Sequence, residues 1–175
     1  MRHRGRHLDL SELALPIDPG VDDLAFAGVR TDIPSDLSGT AFVQTVVIEV
    51  AQLPQATAGL SINDEIFDNE NSLGVVVLDG SLRVERFEDG MVEFLAQEAF
   101  DPASFPLTLE IFVSAGEVTF AASGGALRTE LITTAVPPWF SDAYVSLAVG
   151  NPTPDDPLGT PRFDRLEVCP ALDPG

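Results

Sequence analysis

Helical periodicity is almost absent from this chain. Segments rich in Val, Ile, Thr and Phe recur instead at intervals of about 8 to 16 residues, with Gly, Pro, Asn and Asp between them. The pattern predicts strands over Asp23–Arg30, Ala41–Leu53, Ala58–Asn63, Leu73–Leu78, Leu82–Phe87, Met91–Phe100, Leu107–Ser114, Glu117–Ala122, Leu127–Thr134, Ala143–Gly150 and Arg162–Cys169. Short strands at this spacing suit an all-β, two-sheet antiparallel β-sandwich. Helix is expected only as short turns, at Pro34–Ser38 or Pro102–Ser104.

Alternation within the strands assigns faces. Leu107, Leu109, Ile111 and Val113 fall on one side and Thr108 and Glu110 on the other, where Phe112 adds an apolar residue. Leu82 and Val84 alternate with Arg83 and Glu85, and Val92, Phe94 and Ala96 with Glu93, Leu95 and Gln97. The expected core is Phe42, Val46, Ile48, Leu60, Ile62, Val75, Val77, Phe94, Leu109, Ile111, Phe120, Val145, Leu147, Phe163, Leu166 and Val168. Asp79-Gly80, Asp89-Gly90, Ala115-Gly116 and Ser123-Gly124-Gly125 supply residues for tight hairpins. The Pro- and Asp-rich stretch Asn151–Pro161 reads as a loop.

Length and charge narrow the possibilities. At 175 residues and 45% apolar composition the chain can bury one sizeable core. No apolar run approaches the roughly 18 residues of a membrane-spanning helix. Nine Arg, no Lys and 28 acids give a formal charge of -19, which repels nucleic acid and anionic membranes. Residues 1–7 carry three Arg and no acid, leaving six Arg against 28 acids in the rest. Residues 1–20 are therefore read as a flexible basic head and leader, 21–170 as the domain and 171–175 as a tail. Asp9 and Glu12 interrupt what would be the apolar part of a secretory signal, so none is read there. The single cysteine, Cys169, excludes an intrachain disulfide and a cysteine-based metal site. It is expected as a small hydrophobe on the last strand, with pairing to a partner as the alternative. Nothing in the sequence sets the oligomeric state.

The order of these pieces resembles the concanavalin A-like lectin/glucanase superfamily, which includes laminin-G-like jelly rolls. The resemblance is carried by Phe42–Val50 as an early long strand, Ala58–Asp64 leading to an Asp/Asn-rich turn, and Asn71–Leu78 returning. It continues through the hairpin of Leu107–Val113 and Gly116–Ala122 to the closing pair Tyr144–Gly150 and Phe163–Val168. It covers residues 40–169 and implies a jelly roll of two curved antiparallel sheets. In that superfamily such a domain binds carbohydrate or protein, sometimes with calcium, and in some branches hydrolyses glucans. An extracellular or cell-surface location is likewise implied only by the resemblance.

The stretch 63–71, NDEIFDNEN, is the densest carboxylate cluster. The jelly-roll β-glucanases it resembles place Glu-x-Asp-x-(x)-Glu on one strand face, flanking a single bond. Glu65, Asp68 and Glu70 break that parity, and both histidines, His3 and His7, lie in the head. The chain is therefore expected not to be an enzyme. Hard oxygen donors at Asp64, Glu65, Asp68, Asn69 and Asn71 suit calcium, although a solvated hairpin tip explains the same composition. The only Trp and the only Tyr lie five residues apart, which makes Trp139, Phe140 and Tyr144 candidates for stacking on a sugar. The alternative is that Trp139 or Phe140 plugs the end of the sandwich. The expected function is a non-catalytic binding or adhesion module for carbohydrate or a protein surface. The alternatives are a structural or accessory domain of a larger secreted protein without a small ligand, and a β-glucan hydrolase.

Overall fold

The computed structural model describes residues 6–14, 26–30, 36–50, 57–64, 71–78, 80–150 and 161–169. In chain order the strands are β1 (Arg6–Ala14), β2 (Phe26–Arg30), β3 (Ala41–Val50), β4 (Thr57–Asn63), β5 (Asn71–Leu78) and β6 (Ser81–Glu88). They continue with β7 (Met91–Ala99), β8 (Leu107–Ser114), β9 (Glu117–Gly124), β10 (Leu127–Ala135), β11 (Tyr144–Gly150) and β12 (Pro161–Cys169). The only helical elements among the described residues are two 3-10 turns, Pro102–Ser104 and Pro138–Asp142.

The strands form two six-stranded sheets, ordered β1-β12-β3-β8-β9-β10 and β2-β11-β4-β5-β6-β7, with every pairing antiparallel. Each sheet presents one apolar face to the other. Leu107, Leu109, Ile111 and Val113 of β8 are buried, as are Leu60 and Ile62 of β4, Leu73, Val75 and Val77 of β5, and Val145 and Leu147 of β11. The alternation read for β8 holds residue by residue, with Phe112 left 46% exposed on the outer face. Asp89 and Gly90 close the β6–β7 hairpin, and Ala115 and Gly116 the β8–β9 hairpin. All four have positive φ, the backbone a two-residue turn between right-twisted strands requires.

Three expectations are corrected. Residues 6–14, assigned to a basic head, form the edge strand β1 beside β12. The stretch HLDLSEL already alternates apolar and polar residues, the signature of a strand. In β3 the buried set is Ala41, Val43, Thr45, Val47 and Val50, while Phe42, Val46 and Ile48 are half-buried. Both faces of FVQTVVIEV are apolar, so alternation alone does not choose between them. Its regular register with β8 makes the choice, pairing Ala41, Val43, Thr45 and Val47 with the buried Val113, Ile111, Leu109 and Leu107, while in β12 Asp164 and Arg165 together oppose Val46 as a bulge. This frees the Arg165 carbonyl to accept a hydrogen bond from the Thr45 hydroxyl, and a polar side chain can then face the core. Finally, Phe94 is 63% exposed rather than buried. Leu95 is an extra residue between the pairs Val84–Ala96 and Glu85–Phe94, and this bulge sends Phe94 outward while Leu95 and Ala96 pack on the core.

Candidate functional site

The candidate aromatics separate into two groups. Phe140, in the 3-10 turn after β10, is fully buried and its carbonyl accepts from the Leu37 amide at 2.9 Å. Its ring meets Trp139 edge to face, with centroids 4.8 Å apart. Trp139 is half-buried against the core, with its indole N–H enclosed and lacking a hydrogen-bond partner. Phe140 therefore offers no open ring face, and it leaves the set of candidate ligand contacts. Tyr144 begins β11 beside Asn63 of β4, and lies on the outer face of the second sheet because Val145 and Leu147 point inward.

Of the candidate calcium ligands, Glu65, Asp68 and Asn69 lie outside the described residues, as does Glu70. Asp64 and Asn71 face each other at the neck of the β4–β5 connection. The Asp64 carboxylate accepts from the Asn71 backbone N–H at 3.0 Å and from its Nδ2, and the Asp64 N–H donates to the Asn71 carbonyl at 3.2 Å. Asn71 Oδ1 is buried without a partner. Among the described residues no group of three His, Cys, Asp or Glu side chains converges as a metal site would require.

The register of the second sheet assembles a different set of residues. Tyr144, Asn63, Ser72, Phe87 and Val92 form one row across its outer face, and Ser146, Ser61, Gly74, Glu85 and Phe94 the next. Gly59, Val76, Arg83 and Gln97 form a third. At the centre, the Ser61 and Ser146 hydroxyls lie 2.8 Å apart and Asn63 Nδ2 donates to Ser146 Oγ at 2.8 Å. Gly74 stands opposite Ser61 because nothing larger fits there. A Cβ at that position would come within 2.7 Å of Ser61 Cβ and 2.8 Å of the Leu60 carbonyl oxygen.

Glu85 is flanked by Gly74 of β5 on one side and Phe94 of β7 on the other. It has no hydrogen bond or ion pair among the described residues. Desolvation pushes its carboxyl above the ordinary glutamate range, while the nearby Arg83 charge pulls the other way. The Arg83 guanidinium lies over the Phe94 ring at 5.6 Å, with Nε buried and unpartnered. The alternation of Arg83 and Glu85 with Leu82 and Val84 placed these side chains on one face from sequence. Gly74 comes from the adjacent strand β5, Ser61 from β4 and Tyr144 from β11, three strands away, and the register that aligns them is not a local signal of the sequence.

The Glu85 shift has a defined sign. An acid whose pKa is raised on folding binds its proton more tightly in the folded state, so stability falls as pH rises from the ordinary glutamate range through the folded value. Glu85→Gln is expected to raise Tm at pH 7, with the gain shrinking on acidification and gone below about pH 4. A gain that stays constant from pH 3 to 8 would exclude the charge as its source.

No family model and no curated protein matches this sequence. Solved structures do match its fold. The exoplasmic/lumenal domain of VIP36, bound to Ca2+ and Man3GlcNAc, aligns with 98% of this chain and 85% of its own at 11% identity and TM-score 0.63. The xyloglucan-locus protein GH43B of Bacteroides ovatus aligns with 98% of this chain at 12% identity and TM-score 0.62. A GH43 protein of Bacillus licheniformis, BlXynB, aligns with 89% at 12% identity and TM-score 0.60. This chain spans about 40% of the length of these two GH43 proteins. The two antiparallel sheets, their strand order and these alignments together show that the chain has the concanavalin A-like lectin/glucanase jelly-roll fold.

Proposed function

We propose that this domain is a non-catalytic carbohydrate-binding module whose ligand lies on the outer face of the second sheet. The observation that carries the reading is the grouping there of Tyr144, Phe87 and Phe94 around Ser61, Ser146, Arg83 and Glu85. Aromatic rings beside a few convergent polar groups are what a sugar, apolar on its faces and hydroxylated at its edges, requires. The bound oligosaccharides of VIP36 and of the κ-carrageenase from Pseudoalteromonas carrageenovora, another structure of this fold, support a sugar ligand. In favour of binding without hydrolysis, Glu85 is the one carboxylate on this face among the described residues, whereas glycoside hydrolysis ordinarily uses two.

A glycan array followed by calorimetry tests the proposal. We expect saturable binding, weakened at least tenfold by Phe94→Ala and by Tyr144→Ala. Phe94 is 63% exposed, so its removal should leave Tm within about 2 °C. Silence of the wild-type chain across the array would instead favour an accessory, structural domain. That second reading is supported by the match to less than half of each GH43 protein. Release of reducing sugar from a bound glycan would overturn the non-catalytic assignment.

Within this proposal the Asp64–Asn71 pair acts as a hairpin clasp, because Asn71 already occupies both carboxylate oxygens. Ca2+ and Mg2+ at equal ionic strength should then raise Tm equally, by screening a chain of charge -19. A calcium site at hundredfold excess over Kd would add about 2.7 kcal/mol. A calcium-specific rise that is lost in Asp68→Ala would establish such a site.

A further inference from the structure

We propose, resting on the assignment of the second sheet's outer face as the sugar-binding one, that Arg83 and Glu85 select a neutral sugar bearing two adjacent hydroxyls. One hydroxyl would donate to the Glu85 carboxylate and its neighbour accept from the Arg83 guanidinium. The two residues lie two apart on β6, on the same face, so their Cα atoms are separated by about 6.6 Å. Neither has a hydrogen bond or ion pair with another described residue. They do not pair with each other, and the position of the guanidinium over the Phe94 ring accounts for this. A concentrated acceptor and a concentrated donor thus stand side by side, both without a hydrogen-bond partner among the described residues, next to an exposed ring.

The combination discriminates by charge. A uronate or sulfated sugar could satisfy Arg83 but would bring its negative charge against Glu85, on a chain already at -19. An amino sugar could satisfy Glu85 but would meet Arg83. A neutral vicinal diol presents one donor and one acceptor at adjacent atoms and opposes neither charge. Gly74, opposite Glu85, lets Ser61 pack close against the sheet beside it.

The test compares neutral, uronate-containing, sulfated and amino-sugar glycans on an array, then titrates the tightest binder into the wild type, Arg83→Ala and Glu85→Gln. Neutral glycans should bind, and each substitution should weaken them at least tenfold. Monodeoxy analogues lacking either hydroxyl of the contacted pair should lose a similar factor. Preferred binding of uronate or sulfated glycans, abolished in Arg83→Ala and tightened in Glu85→Gln, would overturn the selection while leaving the binding face intact. Neutral-glycan binding insensitive to Arg83→Ala and Glu85→Gln but lost in Tyr144→Ala would overturn the paired role in the same way. Binding unchanged in all of these variants and in Phe94→Ala would overturn the face itself.

Discussion

Phe140→Ala is expected to destabilise the fold by about 3–5 kcal/mol, the cost of removing a fully buried ring and leaving a cavity behind. For a domain of this size that corresponds to a fall in Tm of roughly 6–20 °C. The ring packs edge to face on Trp139, and the Phe140 carbonyl holds the Leu37 amide, so the cavity opens where two segments meet at the end of the sandwich. Measured on the folded fraction, sugar affinity should change little, because this ring is not on the proposed binding face. A drop in Tm below about 2 °C, or a loss of binding without a loss of stability, would return Phe140 to the candidate ligand contacts.

Gly124→Ala is expected to cost about 3 kcal/mol or more, at or beyond the upper end for overpacking. A Cβ at this position would lie 2.5 Å from the carbonyl oxygens of both Ser104 and Pro106 and 2.9 Å from Leu107 Cδ2. Two of these obstructions are main-chain atoms, which cannot rotate aside as a side chain can, so the end of β9 or the Pro102–Ser104 turn must move. Gly116→Ala is the informative control. Its φ is +81° and nothing lies within 4 Å of the added carbon, so only the conformational cost of about 1–2 kcal/mol remains. Equal losses in chemical denaturation of the two variants would remove the steric explanation at Gly124.

Strand positions were legible because alternation and turn residues are local signals, and β8 and its hairpin to β9 needed nothing else. Local alternation falls short where a bulge or a long-range pairing sets the face. Simple parity puts Phe94 inside until the extra residue at Leu95 reverses it, and the inward face of β3, apolar on both sides, is set by its pairing with β8. The face bearing Arg83 and Glu85 was visible as half of an amphipathic strand. The grouping of the candidate site was not, since it draws on Gly74, Ser61 and Tyr144 from β5, β4 and β11. In Trp139 and Phe140 the sequence offered aromatic character without exposure, and only packing separates a plug from a platform.

The bulge at Leu95 also bears on how copies of this domain meet. β7 is an edge strand carrying Met91, Val92 and Phe94, all more than half exposed, which would ordinarily invite edge-to-edge zippering. With the extra residue, an antiparallel pairing of two β7 strands that keeps matching faces together sets Val92 against Ala99 and Phe94 against Gln97, and places Glu93 of each copy directly opposite Glu98 of the other. Like charges in that position repel. In that register the facing carboxylates disfavour self-pairing, an effect that Arg86, 3.6 Å from Glu93, reduces.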